Sequence, residues 1–587
     1  EKENRFKQVL GKEKDLICKF MYSIDEDDLG NIWIGTKKGV VKVSKDFKIL
    51  KSYPSDNKKN SVGEGDVYNI YCDDENGYVW VGSANSGLSK INMKNNSITR
   101  YKHNTSDSKS LPSSAIGAIT KDSKGNIWVG TSNGLAKYNK REDNFYVYQH
   151  KVYDKNSLIN NNVKSLMEDN EGLIWVGTYS GISMFDTESE IKHYKAGLDK
   201  DYLLNENIVH GIYEDDDGHL WVGTNSKGVN IIDKKHNKSK FMNSTTNEEF
   251  ISDSINDITG KGNIIYIATD NGLIKFDKSN NDLKHYNVED GLLDEKVTDV
   301  LIDSKGYVWL GTPDGVNILN PKTNKFIDIN EFINNGQAPN RYVRHIYEDS
   351  EGNYYLGFLE QQGLSVINTK DKTIKNYKYS KSDKNSISNN NVRYINEDSK
   401  GNIWVGTSYG LNKFDKKTKK FKRYTTKDGI ANNTIYGILV DNKDNIWIST
   451  NKGISKIDTT NNKVQNLGVI DGLQSNEFNG NAAYKNNKGE FFFGGVNGLN
   501  SFYPDKIIKS GEKPKLTFDR FIVNNKEYSN IDKMKFNENT DIITIKFFTS
   551  NYSSFQNTTY EYSLEGTSKN VVRTKDNHVT YNDLPPG

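Results

Sequence analysis

Side chains able to do covalent or metal chemistry are scattered along this sequence of 587 residues. The nine histidines stand at positions 103, 150, 193, 210, 219, 236, 285, 345 and 578. None forms a His-x-x-x-His or His-Glu-x-x-His pair of the kind that holds zinc. Cys18 and Cys72 could pair once at most, and neither belongs to a Cys-x-x-Cys pair. There is no Gly-x-Ser-x-Gly elbow and no phosphate-cradling Walker loop. The acidic runs Asp215-Asp216-Asp217-Gly218 and Asp73-Asp74-Glu75-Asn76-Gly77 invite a calcium reading. Neither has the downstream Glu of an EF-hand loop, and both fall where other parts of the chain place ordinary turns. The expectation is therefore no catalytic residue, no metal and no cofactor. The enzymatic alternative is a polysaccharide hydrolase or lyase whose carboxylate pair comes from distant segments.

Residues suited to binding are easier to find. Tyr179 and Tyr409 stand at turn tips where Gly, Asn and Ser are the usual choices. A tyrosine offers a flat face and a hydroxyl, which suits stacking on a sugar ring. The plainer alternative is that both rings cover neighbouring segments. Gln361 lies in the corresponding turn Leu359-Glu360-Gln361-Gln362. Arg341 and Arg344 lead into a short strand and could meet an anionic ligand, or form surface salt bridges instead.

The elements that must position these residues are repeats. All eight tryptophans occupy one recurring position, at Trp33, Trp80, Trp128, Trp175, Trp221, Trp309, Trp404 and Trp447. Tyr266, Tyr355 and Phe492 hold it in three further repeats, which makes eleven. An Asp stands six residues earlier in nine of them, including Asp74, Asp122 and Asp398. As the head of a tight turn it can accept bonds from the backbone ahead of it. The residue two after the anchor is Gly in nine repeats, Ala268 in one and Ser449 in one, which lets a neighbour's aromatic ring pack close. Four short strands in about 45 residues is the period of a β-propeller blade. Composition agrees: 34% hydrophobic, 11% aromatic and 48 glycines suit short strands and tight turns. A net charge of +2 argues against a nucleic-acid partner, and no apolar run reaches membrane-spanning length.

The string Gly-Asn-Ile-Trp-Val-Gly-Thr-x-x-Gly-Leu, nearly intact at residues 125–135 and 401–411, closely resembles the two-component regulator propeller repeat. The resemblance covers residues 10 to 504. It implies the ligand-sensing, extracytoplasmic part of a bacterial membrane signalling protein. A small glycan is the expected ligand, and a protein-binding scaffold is the other non-enzymatic alternative. The fold expected is an all-β array of eleven four-stranded blades in two rings over residues 1–504. The ring boundary falls near 190, near 325, or at a six-plus-five split. Residues 505–587 alternate as strands and are similar to the triple-tyrosine domain, an immunoglobulin-like sandwich, with Tyr560-Glu561-Tyr562 as its first tyrosines. By that resemblance Leu584-Pro585-Pro586-Gly587 stops short of the final strand. The tethering membrane helix and the cytoplasmic output module would lie beyond this chain. Signalling through one helix further implies a homodimer with contacts in residues 513–587.

Overall fold

The computed structural model describes residues 10, 17–56, 58, 60–152, 157–170, 172–186, 190–197, 203–334, 338–507, 516–529, 542–549, 558–564 and 571–582. The chain divides into two compact units, one of Glu1–Glu188 with Pro514–Gly587 and one of Ser189–Lys513. Among the described residues there is no α-helix, and so none long and apolar enough to cross a membrane.

The second unit is a closed ring of seven antiparallel sheets with four strands each. Its innermost strands are Val209–Glu214, Ile255–Lys261, Asp299–Ile302, Val343–Glu348, Val392–Glu397, Ile435–Val440 and Phe478–Lys485. We number these blades 5 to 11. Each inner strand packs against the next, and that of blade 11 packs against that of blade 5. The outermost strand of blade 11 is Lys192–Tyr194, which precedes blade 5 in sequence and pairs His193 with Asn500 and Tyr194 with Leu499. The repeat order would give this strand to the blade of Trp175. That blade instead keeps three strands, so the array has ten four-stranded sheets and one of three.

In the first unit, the blades of Trp33, Trp80, Trp128 and Trp175 (blades 1 to 4) pack one after another through their inner strands. The same unit holds a four-stranded sheet of Leu516–Val523, Lys526–Tyr528, Ile542–Thr549 and His578–Asn582, and a two-stranded one of Tyr560–Tyr562 and Val572–Thr574. The Phe547 ring meets Tyr560 edge-on between these two sheets, at 4.9 Å. Leu584–Gly587, the segment that leads into a final strand by the resemblance, lies outside the described residues.

Each recurring residue has a local cause. The anchor aromatic fills the gap to the next blade: Trp221 is buried among Ile255, Ile258, Ile265 and Ile274, and Trp309 among Val343, Ile346 and Leu356. Seven of the eight tryptophans are fully buried; Trp175, in the last blade of the row of four, is not. The small residue two positions on admits the first residue of the neighbouring inner strand, which is β-branched rather than aromatic as expected. A Cβ on Gly406 would come within 2.7 Å of Ile435, and one on Gly494 within 2.6 Å of Val209, where the ring closes.

The turn Asp does more than cap its turn. Asp398 Oδ1 accepts the backbone N–H of Lys400 and Asn402, while its Oδ2 accepts the Trp404 indole N–H at 3.0 Å. Asp27, Asp122, Asp169, Asp215, Asp303 and Asp441 hold their own tryptophans at 2.7–2.9 Å. Asp349 does the same for the Tyr355 hydroxyl at 3.1 Å. Asp74 departs from the pattern. Its carboxylate accepts the Asp28 N–H of the previous blade, Asp73 takes the buried position, and the Trp80 indole N–H has no partner.

Asp398→Ala would orphan a buried indole donor and two turn amides. The expected loss is about 2 kcal/mol, whereas Asp74→Ala should stay within about 0.5 kcal/mol. Urea titrations followed by tryptophan fluorescence compare the two, and equal losses would refute the assignment.

Asp27, Asp122, Asp215 and Asp349 carry a second expectation. Burial alone would raise their carboxyls, but bonds from Trp33, Trp128, Trp221, Lys416 and the turn amides outweigh it and hold them below 3.8. A lowered acid stabilises fully above the unfolded value and loses that stabilisation as pH falls through the folded one. Melting temperatures should therefore fall on acidification below about pH 4, and Asp122→Asn should flatten that decline.

Candidate ligand-binding site

The variable side chains of the ring gather where its inner strands begin. A Val, Ile or Phe at the head of each inner strand packs on the previous blade, and the residue after it is not held constant around the ring. From blade 5 to blade 11 it is His210, Asn256, Thr298, Arg344, Arg393, Tyr436 and Asn479. In six of the seven blades the pairing slips at this point, as between Val343 and His345 and between Val392 and Tyr394. Such a bulge re-aims side chains at the place where pairing is broken. Here it occurs at the same level all around one end of the channel.

One residue deeper the ring is lopsided. Blades 6 to 9 carry Asp257, Asp299, His345 and Tyr394, while blades 10, 11 and 5 carry Gly437, Gly480 and Gly211. The glycines leave room that the others fill. Blade 11 contributes the longest bulge, with pairing interrupted from Phe478 to Ala483. Asn481, at φ +62°, reaches from it to blade 7, donating to the Thr298 carbonyl at 2.9 Å and to Asp299 Oδ1 at 3.1 Å. The Tyr394 hydroxyl donates to the Ala483 carbonyl at 2.9 Å. His345 stacks on Tyr394 at 4.1 Å, with Nδ1 3.2 Å from Asp299 Oδ1 and Nε2 3.2 Å from the Ile395 carbonyl. Together these bonds make a floor across the channel.

Electrostatics set floor and wall apart. Asp257 faces the channel, and its carboxyl stands well above the ordinary value, chiefly through burial and then through the Asp299 charge. Asp299 is buried, and its other oxygen accepts the Ile346 N–H at 2.6 Å. On the wall, burial lowers His210, and Arg344 lowers it further. Burial and the same Arg344 lower Arg393, with the Tyr436 hydroxyl opposing. The Arg344 guanidinium lies over Gly480, where an added Cβ would sit 3.2 Å from its Cζ. Arg393 donates through Nε to Ser408 Oγ at 2.9 Å and lies 5.1 Å from the Tyr436 ring centre.

Of the five residues singled out from sequence, four lie in this ring. Arg344 is in the wall of the channel. Arg341 is exposed at the approach to the same strand. Gln361 and Tyr409 are exposed on the rim on either side of Asn391: the Gln361 N–H donates to Asn391 Oδ1 at 3.1 Å and the Ser408 N–H to the Asn391 carbonyl at 3.0 Å. The two sets of loops thus share one face. Tyr179 is 78% exposed but belongs to the first unit. Sequence reasoning passed over His210, Asp257, Asp299, His345, Arg393, Tyr394, Tyr436 and Asn481. The available signal was the two positions after the β-branched head of each inner strand, where otherwise uniform repeats disagree.

Asp215, Asp217 and His219 lie close enough to share a cation. Lys278 already places its ammonium 2.9 Å from Asp215 Oδ2 and 2.7 Å from Asp217 Oδ2, and Asp215 also holds Trp221. The cluster is explained as a stitch between blades 5 and 6.

The two component regulator propeller family matches at residues 110–133, 157–180, 203–226, 291–314, 386–409 and 429–452. No curated protein matches the chain. Among solved structures it is similar to the extracellular domain of BT4673 from B. thetaiotaomicron, with 18% identity over 97% of this chain and 77% of that one and a TM-score of 0.45. It is similar also to the extracellular domain of BT3049 from B. thetaiotaomicron (20% identity, 99% and 96% covered, TM-score 0.34) and to virginiamycin B lyase from Staphylococcus aureus (11%, 53% and 97%, 0.42).

A raised carboxyl opposes folding once it must ionise. The penalty of Asp257 is absent below 3.8, grows as pH rises through the interval to the folded value, and then levels off. Asp257→Asn is therefore expected to raise the melting temperature at pH 7, with the gain shrinking as pH is lowered toward 4. Differential scanning calorimetry across that range checks it, and a variant that melts lower at pH 7 would contradict it.

Proposed function

We propose, from the premise that this chain carries two-component regulator propeller repeats, that it is the ligand-sensing region of a bacterial membrane signalling protein and works outside the cytoplasmic membrane. One observation carries the assignment. On a scaffold whose residues recur blade after blade, five residue types share the seven equivalent positions at one end of the ring channel, above a floor knitted from Asp299, His345, Tyr394 and Asn481. A rigid frame that varies only around a concavity is built to hold a ligand.

The ligand we favour is a short glycan. Tyr436 in the wall and Tyr409 on the rim offer flat faces, and His210, Asn256 and Asn479 offer polar groups at the same level. Gln361 and Arg341 extend the polar rim. In this view no bond of the ligand is broken, and its binding is passed to an output module attached elsewhere in the same protein. Tethering to the membrane by a further segment, and pairing of two copies through residues 513–587, belong to the same proposal.

A hydrolase or lyase acting on polysaccharide is the second reading. The observation that favours it is the Asp257–Asp299 pair, in which burial first and then the Asp299 charge raise the Asp257 carboxyl, the direction a general acid requires. Incubation with a panel of oligosaccharides, followed by calorimetry and mass spectrometry, separates the two. The sensor is expected to bind a member of the panel and return it unchanged. Shortened or unsaturated products that disappear in Asp257→Asn would establish the enzyme instead.

A further inference from the structure

Three lysines that lie between blades are paired with acids. Lys278 holds Asp215 and Asp217, Lys234 holds Glu214 and Glu490, and Lys416 holds Asp349 and Glu397. Arg344 and Arg393 are different. Both are only partly exposed, they are near enough for Arg344 to depress Arg393, and neither has a carboxylate within 4.0 Å among the described residues. Arg344 makes no hydrogen bond there, and Arg393 makes one, through Nε, to Ser408.

The acids around them do not compensate. Asp299 is committed to His345, Asn481 and the Ile346 N–H. Asp257 is held toward its neutral form by burial and by Asp299, against the pull of Arg344, and its Oδ2 accepts the Val300 N–H at 3.1 Å. Glu206, which acts on His210, has both oxygens on Ser226. Two neighbouring, partly exposed guanidinium groups at this end of the channel thus have most of their N–H donors unused among the described residues. Like charges in such a place repel, and an anion relieves them. The fork of a guanidinium matches a planar or tetrahedral oxyanion through paired bonds. Beneath them Asn481, buried, has an Oδ1 with no donor.

We propose that this end of the channel binds an acidic sugar, its carboxylate or sulfate held between Arg344 and Arg393. This rests on the sensor assignment above for the sugar, but the oxyanion site stands by itself. The test uses the full chain and the variants Arg344→Gln, Arg393→Gln and the double variant. Melting temperatures are measured with sodium sulfate, galacturonate or galactose against sodium chloride at equal ionic strength.

Sulfate and galacturonate are expected to stabilise the wild type beyond the double variant, whereas galactose is not. At least ten-fold weaker apparent affinity for galacturonate, about 1.4 kcal/mol, is expected in each single variant, since each loses a charged hydrogen-bonding partner. Without ligand, Arg344→Gln should melt no lower than the wild type, because repulsion has been removed; a residue there for packing would lower it. Equal anion-dependent stabilisation in wild type and double variant overturns the site, even if a neutral glycan binds and the sensor assignment stands. An effect of sulfate lost in the double variant, with no effect of galacturonate, overturns the sugar and keeps the oxyanion. The expected pattern together with glycan turnover would sustain this inference while removing the sensor.

Discussion

Blades can stand as close as they do because little or nothing projects from the residue two past each anchor aromatic. A Cβ on Gly82, Gly130, Gly357, Gly406 or Gly494 would press to within 2.5–2.7 Å of a Val or Ile at the head of the next inner strand. That approach sets the angle between blades, with Ala268 and Ser449 as the small residues at the two ring positions that are not glycine. The anchor tryptophan follows from it. Once two sheets are fixed at that distance, a large flat ring is needed to fill the wedge that widens away from the axis. An indole so placed brings one polar N–H into the core, and an unmatched donor there is costly. The turn Asp, six residues earlier, is the group that answers it, as at Trp128 and Trp404. Gly, Trp and Asp are three parts of one packing solution, which is why they recur together.

Neighbouring blades are also stitched at their edges. The Ser after the turn Asp donates to an acidic side chain of the following blade, as Ser123 does to Glu168, Ser304 to Glu348 and Ser399 to Asp444. Lysines do the same with paired acids. These bonds are exposed or partly so and individually weak, but they act at every joint, and the strand Lys192–Tyr194 closes the circle with segments 300 residues apart in sequence. A circle in which each blade leans on two others has little freedom to reshape itself. Chemistry or recognition has to be added where the scaffold leaves choice: at the bulges of the inner strands and on the loops around them.

Recurrence explains what could be read from the sequence and what could not. Trp33 through Phe492 were legible because the same position recurs eleven times and fills the same wedge wherever another blade follows. The all-β character and the blade period follow from them. The fate of Lys192-His193-Tyr194 was not legible, because a fourth strand looks the same locally whether it completes the blade before it or the last blade of the chain. Asp74 misled, because the spacing of six is kept while an added turn hands the buried position to Asp73. At the small position, an aromatic neighbour was expected, but the close approach is made by the β-branched residue that also starts the bulge. The channel residues were hardest to see. Arg344 was noticed as a charge, but its partner Arg393 and the floor of Asp299, His345 and Asn481 come from different blades with no fixed spacing. They are visible only when the repeats are superposed and the disagreements kept.

That disagreement has a physical shape. Four consecutive blades, 6 to 9, supply polar side chains to the deeper level, and the three that close the ring supply glycines, so the channel is furnished from one side. The bulge of blade 11 occupies the vacant side and carries Asn481 across to Thr298 and Asp299. A carboxyl reluctant to ionise, an Asp299 bonded to His345 and Asn481, and two unbalanced arginines then lie around one channel, the arginines toward the rim. Charge separation of this kind is unfavourable in an empty channel of low polarity. It is tolerated here because the floor bonds hold the negative groups and solvent reaches the positive ones. The arrangement leaves the rim positive and the depth nearly neutral, so an anion that enters meets attraction first and shape second.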